Sequence, residues 1–229
     1  MFFDPLYLLL IGPTVLFALW ASMRTKSTFA KYAQVPTRAR MTGAQVARRL
    51  LDSDRLQEVA IEKVPGQLTD HYDPRTRVLR LSQPVHDSQS IAAIGVAAHE
   101  MGHAMQHSDA YKPLVFRQAF YPVASFASRA WVWLFMISLF LAGSQAQGAL
   151  MLAAVVCLSL YAVFALVTLP VEFDASKRAL FVLESSRTLD AEELAGAKKV
   201  LDAAALTYVA SAAQAVMTVI WLLLRSRNR

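Results

Sequence analysis

The chain has a single cysteine, Cys157, in 229 residues. A lone thiol excludes an internal disulfide framework, and its position inside an apolar run marks it as packing rather than chemistry. Charge is scarce as well. Asp, Glu, Lys and Arg make up 17% of the residues, against about a quarter in soluble domains. Only 8 glycines occur. None of them builds a phosphate-cradling loop, so an ATP-driven machine would need a separate partner. No repeat, low-complexity segment or nucleic-acid motif is present. No acid lies between Arg24 and Arg40, a stretch that holds five basic residues.

Apolar sequence is abundant. Hydrophobic residues reach 55% and the mean hydropathy is +0.36. Four long apolar runs stand out: Pro5 to Met23, about Ala119 to Gly143, Gly148 to about Leu169, and about Ala203 to Leu224. Each can cross a hydrocarbon core of roughly 30 Å as a helix. In a soluble protein this size, too little polar sequence would remain to cover four such helices. Arg129 lies inside the second run, where it would either face the protein interior or snorkel.

The first run has no Lys or Arg before it, unlike a cleavable signal peptide. The five basic residues after it place the N-terminus outside and residues from Arg24 onward in the cytoplasm. Arg225, Arg227 and Arg229 argue the other way, and the first helix is given the greater weight. The net charge of +6 gathers beside the apolar runs. The partner of these basic residues is therefore the lipid surface, with no nucleic acid expected.

The main chemical signal is His99-Glu100-Met101-Gly102-His103. Histidines at i and i+4 share one helix face, close enough to bind one Zn²⁺. Glu100 directly follows the first histidine, so it can reach a water polarised by the metal without binding the metal itself. The preceding segment, Ser90 to Ala98, is apolar and rich in small residues, which predicts a buried helix. Asp87, Ser88 or Ser90 could cap it. Buried His, Glu and His side chains need partners, and a metal provides them.

A catalytic zinc needs a third protein ligand and an open position. His107 lies eight residues from His99, about 12 Å along a helix, too far to share one metal. It reads instead as a donor beside the site or a surface residue. Glu172, in Pro170-Val171-Glu172-Phe173-Asp174, is the better candidate, because a carboxylate at the end of an apolar run needs a partner. Asp174 is the runner-up and could instead pair with Arg178 one turn on. A salt bridge from Glu172 to Arg129 or Lys177 is the plainer alternative.

The remaining polar sequence supplies short elements. Met41 to Asp52 has helical periodicity, with Val46, Leu50 and Leu51 inward and Arg48 and Arg49 exposed. Val59 to Val64 reads as a strand. His71 to Ser82 reads as a hairpin turning at Asp73 to Thr76. Asp190 to Glu193 reads as a capped helix start.

The stretches MTGAQVARRLL, DHYDPRTRVLRLS, SIAAIGVAAHEMGHAMQH, LVTLPVEFDASKRAL and AGAKKVLDAAALTYVA together resemble the YugP-like family of bacterial membrane zinc metallopeptidases. The arrangement is also similar to the wider gluzincin group, in which a later Glu completes the site. That group often carries Glu-x-x-x-Asp, whereas Ser176 stands in the Asp position here. The resemblance implies His99, His103 and Glu172 as zinc ligands and Glu100 as general base. It also implies that a strand before the zinc helix forms the edge receiving an extended peptide, a role that Val78 to Ser82 would fill. His71 or Tyr72 could donate to the developing oxyanion, and both also read as turn and packing residues.

The expected fold is a mainly α integral membrane protein with about four transmembrane helices and a small α+β zincin-like domain on one membrane face. Its parts would be a first transmembrane segment (1–23), a catalytic segment (24–118), a transmembrane hairpin (119–169), a helical segment with the third ligand (170–202), and a fourth transmembrane segment with a basic tail (203–229). The expected activity is zinc-dependent endoproteolysis of membrane-proximal or unfolded polypeptides at the bacterial inner membrane. The rivals are a non-catalytic scaffold with a structural zinc and a hydrolase of lipids or small amides.

Overall fold

A computed structural model describes residues 4–227. Arg229 lies outside the described residues. In chain order the elements are α1 (Pro5–Ala33), α2 (Gly43–Ser53), β1 (Ala60–Val64), β2 (His71–Asp73), β3 (Val78–Ser82), α3 (Gln83–His86), α4 (Ile91–Ser108), α5 (Lys112–Phe140), α6 (Ala146–Ser185) and α7 (Ala191–Arg227). The protein is mainly α, with a small sheet. Helices α1, α5, α6 and α7 are each long and apolar enough to cross a membrane.

These helices overrun the apolar runs. Helix α6 continues through Pro170 to Ser185, so Glu172 and the third apolar run share one unbroken helix. Proline costs this helix one backbone hydrogen bond without ending it. Helix α7 begins at a capping box: Asp190 Oδ1 accepts from the amides of Glu192 and Glu193 at 2.9 and 3.0 Å, and Glu193 Oε2 accepts from Asp190 N at 3.0 Å.

By internal contacts the chain divides into two units. One takes residues up to Ala21, Val115–Pro170 and Thr207 onward. Its core joins Ile11, Phe135, Met151, Leu158, Trp221 and Leu222. A second patch of Ala162, Ala165, Ala212 and Ala215 has side chains small enough for close helix contact. Arg129 is exposed here rather than facing the interior, the first of the two alternatives left open by the sequence. It folds back along its own helix, donating to Ser125 O and Oγ at 3.2 Å each.

The other unit takes Ser22–Leu114 and Val171–Leu206. Thr42 and Gln45 close a capping box at the start of α2. Val46, Leu50 and Leu51 pack with Leu79, Leu81, Ile94, Met101 and Leu183 in one buried cluster. Arg48 is half-buried rather than exposed. Its guanidinium donates to the carbonyls of Val59 and Leu56 at 2.7 and 3.1 Å, tying the loop before β1 to α2.

The sheet order is β1-β3-β2. β1 runs parallel to β3, from Ala60↔Val78 to Val64↔Ser82. β2 is antiparallel to β3, with Tyr72 opposite Leu79. The hairpin turn carries Arg77 at φ 54°. Asp73 pins it, because the Thr76 hydroxyl and the Arg80 guanidinium hold its carboxyl down at about 2. β3 is thus the central strand, paired on both sides, and Val78 to Ser82 cannot be the substrate-receiving edge. A local pattern shows the hairpin but not the parallel partner that covers its far side. The free edges belong to β1 and β2.

Candidate metal centre

Helix α4 starts at Ser90, whose hydroxyl accepts from Ala93 N at 3.2 Å. The helix is buried along most of its length. Small residues from Ala92 to Ala98 allow this, and it carries the motif inward. The His99 and His103 rings meet edge to face, with centroids 4.9 Å apart. Their side chains are only 14% and 11% exposed.

Helix α6 supplies the third group. Glu172 is 2% exposed. Its Oε2 lies 3.2 Å from His99 Nε2 and 3.6 Å from His103 Nε2. Ligand atoms of these three residues all fall within 4.8 Å of one another. Gly102 makes this approach possible. A Cβ there would collide with the Ala175 carbonyl oxygen on α6. Sequence reasoning missed this position, and a glycine between the two motif histidines was the signal that could have marked it.

The donor set fits zinc. His99 Nδ1 meets Ser176 Oγ at 3.1 Å and His103 Nδ1 meets Gln106 Oε1 at 3.0 Å. Both Nε2 atoms therefore converge on one carboxylate. Lone pairs facing each other in this way repel unless a cation stands between them. Two imidazoles and a carboxylate are ordinary zinc ligands. Without metal, a proton meets the same need. Burial pushes His103 down, but the hydrogen bond and charge of Glu172 outweigh it and hold the imidazole above its usual value. Ser176, which departs from the common Asp, still reaches a histidine.

Glu100 stays outside the ligand group. It is 8% exposed, and its Oε2 accepts from Tyr72 N at 3.0 Å. The outward amide of edge strand β2 thus aims the carboxylate. Asp174, the runner-up ligand, is held elsewhere, accepting from Gln106 Nε2 at 2.8 Å and from Arg178 Nε at 2.6 Å. Glu172 is engaged by the histidines, whereas the plainer alternative pairs it with Arg129 or Lys177.

His71 is exposed on β2, and its Nδ1 bonds Thr69 O at 2.8 Å. It is not among the residues brought together at the centre. Tyr72 Oη meets His107 Nδ1 at 2.9 Å. Both side chains border a cavity of about 180 Å³, lined also by Glu58, Arg77 and Ala104.

A family model described as "Putative neutral zinc metallopeptidase" matches residues 7–227. The chain belongs to this family of zinc metallopeptidases, and it is a multi-pass membrane protein. It is 46% identical over 193 residues to "Putative membrane protease YugP" of Bacillus subtilis (strain 168), with 84% of each chain covered. No solved structure matches the chain.

Proposed function

We propose that the protein is a zinc endopeptidase of the bacterial inner membrane, with its catalytic residues on the cytoplasmic side. Its substrates are membrane-proximal or unfolded polypeptides. The observation that carries this reading is the convergence of His99 Nε2, His103 Nε2 and Glu172 Oε2 on one point, with an aimed carboxylate, Glu100, adjacent on the same helix. Bound zinc would polarise the scissile carbonyl and bring the pKa of a water close to neutrality. Glu100 then takes the proton of the attacking water and passes it to the leaving amine. A purely structural zinc would have no use for a carboxylate held in place by Tyr72 N.

The free edge of β2 is the better place for an extended substrate. Tyr72 N points away from β3 and towards Glu100, so a peptide laid along this edge would run past the general base. The cavity beside Tyr72 and His107 would take a polar substrate side chain, since Glu58 and Arg77 line it. Glu172 directly follows the apolar stretch of α6 in sequence, which supports a membrane-proximal substrate.

The test is digestion of a dye-labelled unfolded protein by detergent-purified enzyme, with zinc counted per chain. The wild type should hold about one zinc and cleave internally, with chelation abolishing cleavage. Full activity in Glu100→Gln would remove the assigned mechanism.

A further inference from the structure

Gln106 is wholly buried, at 0% exposure, and both ends of its amide are engaged. Nε2 donates to Val171 O at 2.8 Å and to Asp174 Oδ2 at 2.8 Å. Both partners can only accept: one is a backbone carbonyl, and the other a carboxylate already bonded to Arg178. A flipped amide would set its oxygen against two acceptors. The surrounding chemistry therefore assigns the orientation, and Oε1 must be the atom 3.0 Å from His103 Nδ1.

An amide oxygen cannot donate, so the proton in that hydrogen bond sits on His103 Nδ1. In the neutral ring Nε2 is then left bare and directed at Glu172 Oε2. We infer that Gln106 is a positioning residue that locks His103 in the metal-binding tautomer, with Asp174 and Arg178 holding Gln106 in turn. The partner that orients a ligand histidine also sets its affinity for metal. His99 differs. Its Nδ1 partner is the Ser176 hydroxyl, which can donate or accept and so does not by itself choose a tautomer. The two histidines are thus controlled unequally.

This inference rests on the ligand set proposed above. The first test is zinc affinity of the full-length protein in detergent, by competition with a chromophoric chelator. Gln106→Met fills the same space without an acceptor and should weaken zinc binding about 10- to 100-fold. Ser176→Ala should weaken it less. A folded Gln106→Met with wild-type affinity overturns the assignment.

The second test needs no change at Gln106. Ring ¹⁵N–¹H correlation spectra of the metal-free wild type, above the pH at which His103 titrates and assigned against His103→Asn, should show the proton on Nδ1. A proton on Nε2 overturns the inference even if Gln106→Met does not fold. A wild type that binds no zinc would fail the ligand assignment alone, and the ring spectrum would still decide the role of Gln106.

Discussion

The two units satisfy their polar side chains in opposite ways. In the unit of long apolar helices, the bonds are mostly local. Ser138 donates to Phe135 O, Ser159 to Val155 O, Thr168 to Phe164 O, and Arg129 to Ser125 O. Each returns to its own helix, the economical solution where a lipid environment offers no other partner. Asp4, which accepts from Trp221 and Arg225, is an exception near the ends of α1 and α7. In the unit carrying the motif, the buried polar groups reach across the chain. Glu100 meets Tyr72, Gln106 meets Val171 and Asp174, and His99 meets Glu172 and Ser176. The candidate site lies where side chains bridge elements distant in sequence.

That contrast can be broken most severely at the bridging residues. Glu100→Gln should lower peptide cleavage by about 10²- to 10⁴-fold with zinc still bound, measured by initial rate and metal content. Glu172→Ala should strip or greatly weaken the metal while circular dichroism keeps its helical signal. Retained stoichiometric zinc would end the case for this ligand. Gly102→Ala should act through packing. Forcing a methyl against Ala175 O costs about 1–3 kcal/mol, read as a lower thermal midpoint together with weaker zinc binding.

A gentler probe is pH. His103 is held above its ordinary value in the metal-free fold, so its pairing with Glu172 contributes fully below about pH 6.5 and is lost as pH rises through the higher folded-state value. Zinc competes with that proton. The metal-free protein should therefore lose thermal stability from about pH 6.5 upward, while the midpoint gain on adding zinc grows over the same range. A zinc gain that shrinks as pH rises would contradict this. The smallest effect belongs to the locally bonded group. Arg129→Gln should stay within about 0.5 kcal/mol of wild type and leave zinc content unchanged, a check that its bonds are confined to its own helix.

Legibility divides along the same line. The apolar runs, the i, i+4 histidines, the α4 and α7 caps and the β2–β3 hairpin are local patterns, and each is visible in the sequence. An edge role for β3 fails because β1 covers its far side through a parallel pairing between segments well apart in the chain. Hydropathy alone does not say which side of a helix has neighbours, so it could not place Arg129. Gly102 and Gln106 are hard to single out because their importance comes from Ala175, Val171 and Asp174 on another helix.

By itself, then, the sequence determined what repeats within a few residues. It specified four helices apolar enough for a membrane, two imidazoles one turn apart on a buried helix, and a carboxylate beside the first of them. Backbone periodicity and the aversion of apolar surface to water are enough for that. Only the tertiary structure decided that Glu172 rather than Asp174 meets the histidines, that β2 rather than β3 is the outer strand beside Glu100, and that Gln106 directs His103. Those choices depend on how closely α4 and α6 approach, which is set by the volume of side chains some seventy residues apart.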